Sequence, residues 1–104
     1  MKFHHLGIAC EDIEAVREDV KRSHNVISDS GIVFDELQDA RLCLLALGEG
    51  VRLELVSGKI VASLCKKGIK YYHICYEVEN IEKKYSELVS NNFIPVSPPK
   101  PAQL

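Results

Sequence analysis

The chain has 104 residues, 46% of them hydrophobic, with 13 basic and 15 acidic side chains for a formal net charge of −2. That length suits one soluble domain with a single core, and the interleaved charges form no basic stripe to follow a phosphate backbone, which argues against nucleic acid as a partner. The apolar runs are far shorter than the roughly 20 residues a bilayer crossing needs, and the N-terminus enters a strand-like pattern rather than a basic, apolar leader, so a cytoplasmic protein without membrane partners is expected.

In chain order, Phe3 to Cys10 form a short apolar run, and Ile13, Val16 and Val20 follow at helical spacing behind Asp12, a good N-cap. Val26 to Ser28 and Gly31 to Phe34 read as extended around an Asp-Ser-Gly turn. Arg41 to Leu47 and Val51 to Val56 are β-rich runs joined by Gly48-Glu49-Gly50, a loop suited to a hairpin. The first half thus reads β-α-β-β-β. Residues 58–70 form a connector in which Ile60 to Lys66 make a helical turn closed by Gly68. Tyr71 to Val78 is aromatic and β-branched, a strand, and Ile81, Tyr85 and Leu88 lie on one helix face behind the cap Asn80. Phe93 to Val96 reads as a strand fragment, whereas Ser97-Pro98-Pro99-Lys100-Pro101 is excluded from a central strand because proline removes the ladder donor. Cys10, Cys43, Cys65 and Cys75 form no CxxC pair and sit mostly in apolar runs, as small buried thiols do.

Residues 5–13, His-Leu-Gly-Ile-Ala-Cys-Glu-Asp-Ile, align without a gap on residues 73–81, His-Ile-Cys-Tyr-Glu-Val-Glu-Asn-Ile, at an offset of 68. The histidines, the capping Asp12 and Asn80, and the first helix isoleucines correspond. A single strand histidine is commonly a structural residue; two at equivalent places in a repeated strand-helix unit point to a shared site. Alternation along a strand places His5 on a face with Phe3 and Gly7, and His73 on a face with Tyr71 and Cys75. The opposite face of the second strand, with Tyr72, Ile74 and Tyr76, is the more continuous apolar one. It is expected to pack on the helices, leaving His5 and His73 toward the concave side. In Val51 to Val56, Glu54 points away from Leu53 and Leu55, and a carboxylate inside an apolar strand is costly unless paired or metal-bound. The plain alternative is a solvated glutamate beside Arg52. Two imidazoles and one carboxylate suit zinc, nickel, cobalt, manganese or ferrous iron, with positions left open for water or substrate oxygens.

His-Leu-Gly-Ile-Ala with a following Asp-Ile, then Leu-Glu-Leu-Val, then Tyr-His-Ile-Cys-Tyr-Glu-Val and a helix, resemble in order and spacing the glyoxalase and methylmalonyl-CoA epimerase branch of the vicinal oxygen chelate superfamily. The resemblance implies an α+β fold: paired βαβββ modules in a curved mixed sheet, helices on the outer face, cupping one divalent metal ion. It places His5, Glu54 and His73 on three of four metal-ligand positions. One domain over residues 1–104 is expected, with module one at 1–57, the connector at 58–70 and module two at 71–104. The repeat counterpart of Glu54 falls at position 122, past Leu104, so the second module is expected to be incomplete, its final hairpin truncated or supplied by a partner. An uncovered sheet edge predicts a homodimer or higher assembly. The epimerase proton-moving carboxylate aligns with Leu42, and neither Glu36 nor Asp39 clearly takes its place.

Three functions compete on this reading. The first is a metal-dependent isomerase or lyase acting on a small oxo or thioester substrate, with Glu54 both ligand and catalytic proton carrier. The second is a non-catalytic module that sequesters small molecules, for which Phe3, Tyr71 and Tyr72 would form a stacking surface. The third is an inactive truncated remnant.

Overall fold

The computed structural model describes residues 1–99. The opening apolar run is strand β1 (Lys2–Ala9), and the amphipathic stretch behind Asp12 is helix α1 (Ile13–Ser23). The Asp12 carboxylate accepts from the Ala15 amide and so satisfies one of the unpaired donors of the first turn. Strands β2 (Val26–Asp29) and β3 (Val33–Asp35) both run antiparallel to β4 (Ala40–Leu47). The break between them falls on the expected Asp-Ser-Gly turn, where Asp29 accepts from the Gly31 amide. The Gly48-Glu49-Gly50 loop joins β4 to β5 (Arg52–Gly58) as a hairpin. Helix α2 (Lys59–Lys66) follows, and Gly68 ends it at φ +74°, a backbone conformation that side chains resist. Strand β6 (Tyr71–Glu77) and helix α3 (Ile81–Ser90) complete the described elements. Asn80 caps α3 by accepting from the Lys83 amide, just as Asp12 caps α1. Among the described residues no helix is long and apolar enough to cross a membrane.

The six strands form one mixed sheet in the order β2-β4-β5-β1-β6, with β3 also on β4. β1 lies parallel to β5 and antiparallel to β6. One sheet face carries Ile8, Cys43, Leu45, Leu47, Leu53 and Leu55 and packs on Ile13, Val16 and Val20 of α1. Leu45 and Leu55 are fully excluded from water there, the setting in which truncation to alanine costs about 2–5 kcal/mol. On the other face Ala9, Leu42 and Val56 pack on Val61 of α2. By strand alternation His5, Gly7 and Glu54 belong to this second face, so α2 closes one end of the surface on which they stand.

β1 and β6 pair through a local twofold. Leu6 faces Ile74, its own repeat counterpart, while His5 faces Cys75 and Gly7 faces His73. Each strand carries one extra residue in a bulge, His4 in β1 and Tyr72 in β6, and these two also correspond in the repeat.

Two expectations are corrected here. The Tyr72, Ile74 and Tyr76 face does not pack on helices: the bulge turns Tyr72 into the α2 cluster, while Ile74 and Tyr76 stay 57% and 48% exposed. Helix α3 fully buries none of its residues and only half-buries Tyr85 and Leu88, so it gives β6 little apolar cover. Phe93 to Val96 forms no strand; the segment is exposed, and Pro95 within it cannot donate to a ladder. Lys100 and Pro101, the end of the proline-rich run, lie outside the described residues.

Candidate metal centre

Gly7 is the centre of the site. Across three neighbouring strands, Glu54 of β5, Gly7 of β1 and His73 of β6 form one row, since Gly7 is the register partner of both others. Where any other residue would project a side chain from β1, glycine leaves a hollow. The His73 imidazole fills it: a Cβ on Gly7 would stand only 2.5 Å from His73 Nδ1 and 2.6 Å from Nε2. His5, two residues back on the same strand face, meets the His73 ring through its Nε2.

The three donors expected from the sequence therefore meet. His5 Nε2 lies 3.0 Å from His73 Nε2. Glu54 Oε1 lies 3.4 Å from His5 Nε2 and 3.6 Å from His73 Nε2. With side chains 9%, 14% and 33% exposed for His5, Glu54 and His73, the carboxylate is held in a partly dry setting. The partners that hold it are these two imidazoles, and the alternative of a solvated glutamate beside Arg52 is not what the fold produces. Burial lowers the pKa of His73; Glu54 opposes this and His5 adds to it. The ring is thus favoured in its neutral form, which is the form that ligates metals.

The spacing fits a cation. Metal–ligand bonds of about 2.1 Å place neighbouring donors about 3.0 Å apart in an octahedral and about 3.4 Å apart in a tetrahedral arrangement. The observed separations of 3.0, 3.4 and 3.6 Å lie in or just outside that range. Three donors are too few to close either polyhedron, which leaves positions for water or substrate.

Several neighbours escaped the sequence reading. Gly7 could have been found, because a glycine inside an apolar strand often marks close approach of another group. His4 could not: simple alternation sends it to the opposite face, and only the bulge brings its Nδ1 to 2.8 Å from His5 Nδ1. His4, His5 and Cys75 also group closely enough to be a second set of potential donors. Tyr72 stacks edge-on against His73, with ring centroids 4.4 Å apart, and burial first, then Glu54, pushes its hydroxyl pKa up to about 12. All four cysteines are free; Cys10 and Cys43 are buried, whereas Cys65 and Cys75 are only partly so.

Phe3, Tyr71 and Tyr72 do not form one stacking surface. Phe3 meets Tyr76 edge-on, Tyr72 lies on His73, and Tyr71 is 66% exposed. Glu36 and Asp39 lie in the turn between β3 and β4 and are not grouped with the two histidines; Leu44 is the β4 partner of Glu54, and Leu42 is buried in the α2 cluster. Glu54 is the carboxylate grouped with the two histidines among the described residues. A hollow of about 780 Å³ between the start of β1 and α3 takes in Glu77 but none of the three donors, so size does not mark the site.

Comparison with known proteins agrees with this architecture. The family profile described as the glyoxalase/bleomycin resistance protein/dioxygenase superfamily matches residues 4–103. No curated protein matches the chain. With an α+β sheet whose first half runs β1-α1-β2-β3-β4-β5, β2 and β3 both pairing with β4, and a match over nearly its whole length, this chain belongs to the glyoxalase/bleomycin resistance protein/dioxygenase superfamily.

Proposed function

We propose that the chain binds one divalent cation through His5 Nε2, Glu54 Oε1 and His73 Nε2, and works as a metal-dependent isomerase or lyase on a small oxo or thioester substrate. The observation that carries this reading is the convergence of the three donors to 3.0–3.6 Å over a glycine that makes room for them. When bound, such an ion polarises substrate oxygens as a Lewis acid. His5 and His73 supply neutral nitrogen donors from adjacent antiparallel strands. Glu54 supplies the anionic donor, and its second oxygen is the group available to take or return a proton at the substrate. Zinc, nickel, cobalt, manganese and ferrous iron all accept this nitrogen and oxygen set. A second copy of the chain is the proposed partner at β6, which has β1 as its one strand neighbour among the described residues.

Leu44 beside Glu54 favours one second reading, a small-molecule-sequestering module of the same fold, because no separate proton carrier stands in the row. Elemental analysis of tag-free protein decides the first step: one ion per chain is expected in the native protein and none in His5→Ala or His73→Ala. Unchanged metal content in the folded variants would refute the site. If the ion binds, exchange of the proton next to the carbonyl of simple thioesters or oxo acids, lost in Glu54→Gln, separates catalysis from sequestration.

A further inference from the structure

The two halves of the repeat differ around their histidines. Gly7 stands opposite His73, and its counterpart Cys75 stands opposite His5, both pairs in direct register between β1 and β6. Residues opposite one another in an antiparallel pair share a face. Glycine leaves His73 a hollow; cysteine puts a sulfur on the face of His5. The bulges differ in the same sense. Tyr72 lies edge-on against His73, whereas its counterpart His4 brings Nδ1 to 2.8 Å from His5 Nδ1. Both departures from the local twofold therefore give His5 a metal-binding neighbour that His73 lacks. One donor atom from each of His4, His5 and Cys75 lies within 4.8 Å of the other two.

We propose that His4, His5 and Cys75 form a second cation site, sharing only His5 with the Glu54 triad, and that this site takes the soft ion Cu⁺. Two imidazoles and a thiolate make a soft donor set, whereas the carboxylate of Glu54 makes its own triad the better host for harder divalent ions. Bonds of about 2.3 Å to sulfur and about 2.1 Å to nitrogen keep donors about 3.4–3.6 Å apart at tetrahedral angles. His4 must then draw back from His5 by about 0.5 Å, a small movement for a bulge residue whose side chain is 27% exposed. Burial first, then the charges of Glu54 and Glu77, raise the Cys75 pKa, so the metal-free side chain is a thiol. On binding, the S–H bond gives way to a bond from sulfur to the ion and the proton leaves to solvent. The same two carboxylates that disfavour a bare thiolate then favour the cation. Each His5 nitrogen has partners of its own, Nδ1 at His4 and Nε2 at Glu54 and His73. A neutral imidazole offers one lone pair, so His5 serves one ion at a time, and the softness of the ion decides which triad closes.

Anaerobic titration of the full chain with Cu⁺, in competition with a chromophoric Cu⁺ chelator, should show one ion per chain. Cys75→Ser and His4→Ala, checked for folding by circular dichroism, should bind Cu⁺ at least 10-fold more weakly, and Cys65→Ser should match the native chain. Zn²⁺ should discriminate in the other direction, lost in Glu54→Gln and retained in Cys75→Ser. X-ray absorption at the copper edge should find one sulfur and two nitrogen neighbours in the native chain, and Cu⁺ added to Zn²⁺-loaded protein should release Zn²⁺ mole for mole. Native Cu⁺ affinity in folded Cys75→Ser would overturn the proposal. So would copper without a sulfur neighbour, or one chain that keeps both ions. If the native chain takes up no Zn²⁺, the Glu54 site fails, while the Cu⁺ titration still decides the second one.

Discussion

Replacing Gly7 by alanine puts one methyl group where the His73 imidazole lies. The added carbon would stand 2.5 Å from Nδ1 and 2.6 Å from Nε2 of that ring, with Cε1 nearer still. Relaxed contacts between heavy atoms of this kind need about 3.5 Å, so the ring must retreat by about 1 Å. A metal–ligand bond tolerates a displacement of only about 0.2 Å, and His73 would leave the donor set. Gly7 is not among the positive-φ residues, so the strand backbone itself accepts alanine. The cost to folding is that of modest overpacking, about 1–3 kcal/mol. Gly7→Ala should therefore remain folded by circular dichroism and bind Zn²⁺ at least 10-fold more weakly in a competition titration with a chromophoric chelator. It should approach His73→Ala in that respect. A folded Gly7→Ala protein with native Zn²⁺ affinity would refute the argument that the empty place on β1 seats the His73 ring.

Acid stability tests a different contact. Desolvation raises the pKa of Asp29, but hydrogen bonds from Arg17, the Gly31 amide and Cys43, with the Arg17 charge, outweigh it and hold the group below its ordinary 3.8. A depressed folded pKa adds stability that is present above the unfolded value and lost as pH falls through the folded one. Asp29→Asn should thus lose about 1 kcal/mol at neutral pH and show a flatter loss below about pH 4 in denaturant melts; an acid limb identical to the native one would remove this role. Sedimentation tests the second half, where Ile74, Tyr76 and Ile81 are about half exposed and β6 pairs with β1 alone among the described residues. Self-association at micromolar concentration is expected, and Ile74→Glu should weaken it; a native protein that stays monomeric there would contradict it.

What could be read along the chain was what local chemistry determines. Strand alternation, the caps Asp12 and Asn80, and the offset of 68 between His5 and His73 are properties of short segments, and they were enough to pair the histidines and to single out Glu54. The bulges at His4 and Tyr72, the meeting of His73 with Gly7, and the exposure of Ile74 depend on how strands far apart in sequence align. Register between β1 and β6 is set by side chains packing across the pair, and one extra residue in a strand reverses the direction of its neighbours. The three candidate residues were therefore legible in one dimension, while the hollow that receives His73 and the ring that backs His5 exist only once two distant strands lie side by side.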